Sequence, residues 1–292
     1  MVINKKAAPK VFRLPTGFPK LDAMLQGGIP QNTVTLLSGA CGTGKSTIAM
    51  QFLYHGAKLC DEPGVYVTLE ETPASLVNNM ALFGWDIDEL IQKKKLAVIK
   101  PEIYKFDSIK QVIADAIDRI GAKRLVVDSY SVLLTYFNDP NQIRSGLVQL
   151  DREIKKMGCT ALIISDIKDN AEIFSTTGVE EFIVDGVIVL SLIKSLKHPY
   201  SSMRSISVRK MRATRHPLSH FRFDITDEGV EIGGEVTGDD MWVGRTVAIK
   251  DKKKKKTSAP QVQETQKPKK KALIDISTLK RRGSHSWKWK HL

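Results

Sequence analysis

The stretch Gly39-Ala40-Cys41-Gly42-Thr43-Gly44-Lys45-Ser46 has the spacing G-x-x-x-x-G-K-S. Glycines at 39, 42 and 44 let the backbone turn back on itself, so that successive N–H groups point inward at a polyphosphate. Lys45 then reaches the β- and γ-phosphates, and the Ser46 hydroxyl can ligate Mg²⁺. Cys41 has no nearby base to make it a nucleophile and reads as a small loop residue. With Thr43 and Thr47 it belongs to the stretch expected to touch the nucleotide. The alternative is a Gly-rich turn beside a coincidental lysine. The flanks argue against it: residues 34–37 (Val-Thr-Leu-Leu) suit a buried strand, and no Pro or Gly interrupts 45–55, which suits a helix. Strand, loop and helix bring phosphates to a helix N-terminus. ATP and Mg²⁺ are therefore the expected cofactors.

Acidic residues follow apolar runs at three further places. Asp128 closes 125–127 (Leu-Val-Val) and could hold Mg²⁺ opposite Ser46, or merely cap the next turn. Glu70 and Glu71 follow the strand expected at 65–69. Hydrolysis needs a group that orients and deprotonates a water in line with the γ-phosphate. Strand alternation sends adjacent side chains to opposite faces, so one of the pair could serve; otherwise they are solvated carboxylates opening a helix at Thr72-Pro73. Asp166, after 161–164, could sense the γ-phosphate. Lys210 and Arg212 alternate and should share a strand face, where two cations repel unless an anion compensates.

These residues need a frame. Apolar runs at 65–69, 96–99, 125–127 and 161–164 read as strands. Helical spacing runs over 106–120, through Ile109, Val112, Ile113, Ala116 and Ile117, and over 142–157. Strands alternating with helices imply an α/β fold with a mostly parallel sheet and helices on both faces. Beyond Gly186 the texture changes: 187–192, 204–210 and 221–225 look like successive strands, an antiparallel C-terminal extension. Ligands should sit at the carboxyl ends of the parallel strands, where the phosphate loop lies.

The motifs together resemble the KaiC-like branch of the RecA superfamily of P-loop NTPases. The resemblance begins at T-G-x-x-x-L-D (Thr16 to Asp22) and G-G-I-P (Gly27 to Pro30), and covers roughly residues 14–234. It continues through 62–71, Asp128-Ser129, Gly178-Val179-Glu180-Glu181-Phe182, and Lys210-Met211-Arg212-Ala213-Thr214. It implies a RecA-like ATPase that assembles with itself as a ring, a hexamer, in the cytoplasm. It favours Glu70 as the base, with Glu71 assisting. It implies that Lys210 and Arg212 project into the ATP of a neighbouring subunit, with Arg212 as the finger. Thr214 and His216 fit the family's T-x-H, and Asp227 matches a position near the nucleoside. Ala213 departs from the family's usual Gly. Clock proteins of the family carry paired Ser-Thr phosphoacceptors just before an Asp matching Asp185. Glu181-Phe182 stand there in this chain, so autokinase activity at that place is not expected.

The 292 residues are 42% hydrophobic, enough for a packed core. No apolar run approaches a membrane span. Three scattered cysteines give neither a disulfide framework nor a metal spacing. Residues 250–292 hold 15 Lys and Arg against 3 Asp and Glu, a net +12; the other 249 residues hold 30 against 29, a net +1. Three segments are thus expected: an arm over 1–13, an ATPase domain over 14–249 and a disordered basic tail over 250–292. The tail ends with Trp287-Lys288-Trp289-Lys290. Lysines interleaved with aromatics suit nucleic acid, through phosphate pairing and base stacking. They also suit a protein groove, an anionic membrane, or a solubilising role with no target. The output of the ATPase could be regulatory signalling, a slow nucleotide-dependent assembly switch, recombination or repair on DNA, or phosphorylation of a partner.

Deleting 250–292 should leave ATP binding intact. If the tail takes nucleic acid, the full chain retains single strands at low salt and releases them steeply as salt rises. Exchanging Trp287 and Trp289 for Ala should then weaken binding by ~1–3 kcal/mol per lost stack. Equal retention by the truncated chain would refute the assignment.

Overall fold

The structure, a computed structural model, describes residues 10–102, 106–137, 139–168, 172–194 and 202–237. The chain divides into two units, Met1–Arg245 and Thr246–Leu292, and the second lies wholly outside the described residues, as do the basic tail and the first nine residues of the arm.

Within the first unit, β1 (Arg13–Leu14) and β2 (Ile29–Pro30) form a small antiparallel pair around α1 (Pro19–Met24). Then follow β3 (Val34–Gly39), α2 (Lys45–Leu59), β4 (Gly64–Thr68), α3 (Pro73–Ala81), α4 (Ile87–Gln92) and β5 (Leu96–Ile99). Next come α5 (Phe106–Ile120), β6 (Arg124–Asp128), α6 (Tyr130–Leu133), α7 (Pro140–Lys156), β7 (Thr160–Asp166), α8 (Glu180–Ile183) and β8 (Gly186–Lys194). β9 (Ser202–Met211), β10 (Phe221–Thr226) and β11 (Gly229–Glu235) complete it. The large sheet has the order β11-β10-β9-β8-β3-β7-β6-β4-β5. From β8 to β5 every pair is parallel; β8/β9, β9/β10 and β10/β11 are antiparallel. This is the α/β, RecA-type architecture expected from the sequence, with its antiparallel extension.

Both faces of the parallel part are covered, and its strands are mostly apolar for that reason. Leu37, Tyr66, Val126, Leu162 and Ile188 point into the core shared with α2. Their strand neighbours Leu36, Val65, Val127, Ile163 and Val187 point into the core shared with α5 and α7. Arg124, fully buried at the start of β6, ties the first layer together. Its Nε donates to Glu62 at 2.9 Å and its Nη1 to the Phe52 carbonyl at 2.9 Å. Gly56 leaves the space, since a Cβ there would lie 2.2 Å from Arg124 Nε.

Several boundaries differ from expectation in ways that matter for the site. β4 stops at Thr68, so Glu70 and Glu71 stand in the following turn. Strand alternation therefore does not decide which of them faces the cavity. Arg13, within the segment expected as the arm, pairs with Pro30 across β1 and β2. Arg212 lies one residue past the end of β9, which stops at Met211. The α3–α4 pair and β11 carry periodicities too short to read ahead of the structure. Among the described residues, no helix is long and apolar enough to cross a membrane.

Candidate functional site

The loop after β3 wraps the N-terminus of α2. Gly42 and Gly44 have φ of +75° and +96°, a region that favours glycine. Gly39 is required for a different reason. Its φ is not in that region, but an added Cβ would lie 2.6 Å from Thr43 Oγ1 and 2.9 Å from the Leu190 carbonyl oxygen. Two glycines therefore turn the loop, and the third admits close packing. Thr43 is buried and donates to the Ala40 carbonyl at 2.8 Å. Gly44 caps α2 without a side-chain hydrogen bond, which leaves its first N–H groups free to meet an anion.

Lys45 is 9% exposed. Its ammonium donates to the Ala40 carbonyl and pairs with Asp166 Oδ1, both at 3.0 Å. Asp166, expected as a phosphate sensor, is here the counter-ion of the loop lysine. Ser46 Oγ donates to Asp128 Oδ2 at 2.7 Å. Tyr66, from the buried middle of β4, donates its hydroxyl to the same oxygen. Burial pushes the Asp128 carboxyl up, against the lowering by these two hydrogen bonds, while Asp166 and Glu70 raise it further.

The two glutamates diverge. Glu70 Oε1 accepts from Ser129 Oγ at 3.0 Å, beside Asp128. Glu71 Oε2 faces the start of α3, accepting from Ser75 Oγ at 3.4 Å. Lys100 holds the Glu70 carbonyl at 2.6 Å. A cavity of about 340 Å³ brings together Cys41, Gly42, Gly44, Lys45, Ser46, Thr47, Thr68, both glutamates, Asp128 and Asp166. Loop N–H groups at the start of α2 and a buried ammonium suit a polyphosphate. A hydroxyl beside a carboxylate suits a small hard cation.

Tyr66, Thr68 and Arg204 were given no role in the sequence. Ser129 stood there only as part of the Asp128-Ser129 motif, with no role of its own. Arg204 could not be found there: its Nε reaches the Gly42 carbonyl at 3.3 Å only because β9 runs back along β8.

The remaining residues gather elsewhere. Met211 pairs with Gly186, and Gly186 with Thr35, four residues before Gly39 along β3. Lys210 and Arg212 thus sit about 13 Å of strand away, at the opposite edge of the parallel sheet from the phosphate loop. Within one copy they do not share its cavity. The anion that compensates them is in the same chain. Asp185 Oδ1 accepts from Arg212 Nη1 at 2.9 Å, while its Oδ2 takes Lys155 at 2.7 Å and the Val34 N–H at 3.1 Å. Burial pushes the Asp185 carboxyl up, but these partners together hold it below its ordinary value. Lys210 donates to the Val184 and Glu181 carbonyls, and burial together with Arg212 lowers it. Ala213 has φ +53°, a region that favours glycine. Arg13 clamps this loop, donating to the Ala213 carbonyl at 2.9 Å and to Thr214 Oγ1 at 2.8 Å. His216 lines a separate depression with Lys20, Met24 and Phe221. Asp227 is exposed in the β10–β11 turn; its neighbour Ile225 packs against the loop, 3.1 Å from a Cβ built on Gly44.

Strand, glycine loop and helix, with a lysine, a hydroxyl and a strand-end carboxylate converging on one cavity, define a P-loop nucleotide-binding protein. Residues 14–237 match the family profile described as "ATPase: KaiC". The chain is 38% identical over 240 residues to a UPF0273 protein of Sulfurisphaera tokodaii, covering 76% of this chain and 83% of that one. It is 34% identical over 233 residues to the circadian clock oscillator protein KaiC of Prochlorococcus marinus, of which it spans 46%. A crystal structure of the KaiC-like protein PH0186 from Pyrococcus horikoshii superposes with a TM-score of 0.70 at 36% identity, covering 76% of this chain and 99% of that one. This chain belongs to the KaiC ATPase family.

The two kinds of loop glycine are separable. Gly39→Ala should remove nucleotide binding and cost ~1–3 kcal/mol of stability by overpacking. Gly42→Ala, where a Cβ meets open space, should cost about 1 kcal/mol through its φ alone and retain binding. Thermal unfolding with a fluorescent ATP analogue reads both; equal loss of binding would count against the close-packing role of Gly39.

Proposed function

We propose that this chain binds ATP with Mg²⁺ in the cavity around the phosphate loop and hydrolyses it, in an assembly where one copy completes the next copy's site. The observation that carries this reading is Glu70, held by Ser129 beside the Ser46–Asp128 pair and Lys45. Ser46 and Asp128 would hold the metal. Bound there, Mg²⁺ supplies neutralisation of the phosphate charge. Lys45 moves from Asp166 to the phosphates, and Asp166 stays within reach of the terminal one. Glu70 orients the attacking water and accepts its proton. Glu71, turned toward α3, tunes rather than transfers.

Lys210 and Arg212 lie too far from their own loop to serve it, which supports a role toward a neighbour. A ring, hexameric by analogy with the clock branch, gives every site such a neighbour. In it Arg212 exchanges Asp185 for phosphate, and Thr214 and His216 travel with the same loop. Asp227, near the loop-packing Ile225, faces the nucleoside. A cytosolic setting accompanies this reading. Residues 250–292 lie beyond the family match, and their net +12 favours a second reading of the output: an accessory ATPase that engages nucleic acid through the tail.

Glu70→Gln keeps shape and removes proton acceptance, so hydrolysis should fall by ~10²–10⁴-fold while ATP still binds. Turnover at the wild-type rate would move the base elsewhere.

Mixing Arg212→Ala chains with Lys45→Ala chains tests the shared site. Some interfaces then pair an intact loop with an intact arginine, so activity should return above either variant alone. A mixture no more active than its parts would sink the trans assignment.

A further inference from the structure

Tyr66 is completely buried, yet it carries a hydroxyl that must find a partner. It stands in β4 opposite Val126 of β6, two residues below the Thr68–Asp128 pair. Two residues of strand rise about 6.7 Å, a span that a tyrosine side chain covers. Alternation puts the side chains of Tyr66 and Val126 on the α2 face of the sheet, and that of Asp128 on the same face. The ring fills the layer beneath α2, and its hydroxyl donates to Asp128 Oδ2. Ser46, in the first turn of α2, donates to that same oxygen at 2.7 Å. The carboxylate is pinned through one oxygen by one donor from the helix and one from the sheet. Tyr66 does not line the cavity, so it reaches a ligand there only through the groups at its hydroxyl, Asp128 first and Ser46 beside it. Packing alone does not account for the hydroxyl, since phenylalanine fills the same volume.

We propose that Tyr66 is a positioning residue for the metal: its hydroxyl sets the orientation in which Asp128, with Ser46, takes Mg²⁺. This rests on the Mg²⁺ reading given above. A metal carboxylate buried in a protein is oriented by its outer partners, and loss of such a partner weakens metal affinity by ~10–100-fold. A phenol suits the place well. Its hydroxyl donates to the carboxylate from within the packed layer, which a phenylalanine ring in the same volume cannot do.

The test follows binding of a fluorescent ATP analogue to the full-length chain as Mg²⁺ is titrated in, without reference to turnover. Tyr66→Phe should raise the half-saturating Mg²⁺ by ~10–100-fold and leave nucleotide affinity in EDTA unchanged. In an Asp128→Asn background the same change should add nothing, because the oxygen it orients has lost its charge and its role. An unchanged Mg²⁺ requirement in Tyr66→Phe overturns the proposal, as does an equal further loss in the Asp128→Asn background. Wild-type binding indifferent to Mg²⁺ would remove the metal reading itself and this proposal with it. Should Tyr66→Phe not fold, fluorotyrosine at position 66 provides a second readout. Its fluorine resonance should move when Mg²⁺ joins the ATP-bound chain and stay still in Asp128→Asn; a resonance that ignores Mg²⁺ overturns the assignment equally.

Discussion

A loop that offers its backbone N–H groups to an anion must be free of side chains on its inner surface and held rigidly from below. The contact at Gly39 meets the second demand. The end of β3 packs so closely against Thr43 and the Leu190 carbonyl that no Cβ fits. That approach is available only because β3 lies in the middle of the sheet, with β7 on one side and β8 on the other. Buried on both faces, β3 is apolar apart from Thr35 and Ser38, and α2 descends from the loop into the larger core. The rigidity of the loop is thus a property of the whole sheet.

Charge around the cavity follows from this arrangement. Parallel strands end on one edge, so the residues that close β6 and β7 and those just past β4 meet there. Glu70, Glu71, Asp128 and Asp166 bring four carboxylates, facing one buried lysine and, at the rim, Arg204. Hydroxyls keep the carboxylates apart and oriented: Ser46 and Tyr66 on Asp128, Ser129 on Glu70. The opposite edge has the reverse character, with Lys155, Lys210 and Arg212 arranged around Asp185 and nearby carbonyls. One end of the sheet suits a cation-bearing ligand and the other presents cations, the polarity that a head-to-tail assembly needs.

Much of this was legible in the sequence because it is local. The phosphate loop is one contiguous run whose glycines, lysine and serine have fixed roles. Apolar runs of four or five residues between helical periods are enough to imply a parallel α/β sheet. Asp128 and Asp166 could be placed at a common edge because each closes such a run. Even the Lys210–Arg212 problem, two adjacent cations wanting an anion, was visible as a need.

What answered that need was not visible. Asp185 is 27 residues from Arg212, and only the antiparallel pairing of β9 with β8 makes them neighbours. The same holds for Tyr66 and Ser46, which meet on one oxygen of Asp128 across strand register and helix packing. Strand alternation suggested a choice between Glu70 and Glu71; β4 ends earlier, and contacts with Ser129 and with α3 set where the two side chains lie. Local sequence determined which groups could do the chemistry, because dihedral preference and hydrophobic period act over a few residues. Tertiary structure decided which groups touch, because register and strand order are set by cores assembled from the whole chain.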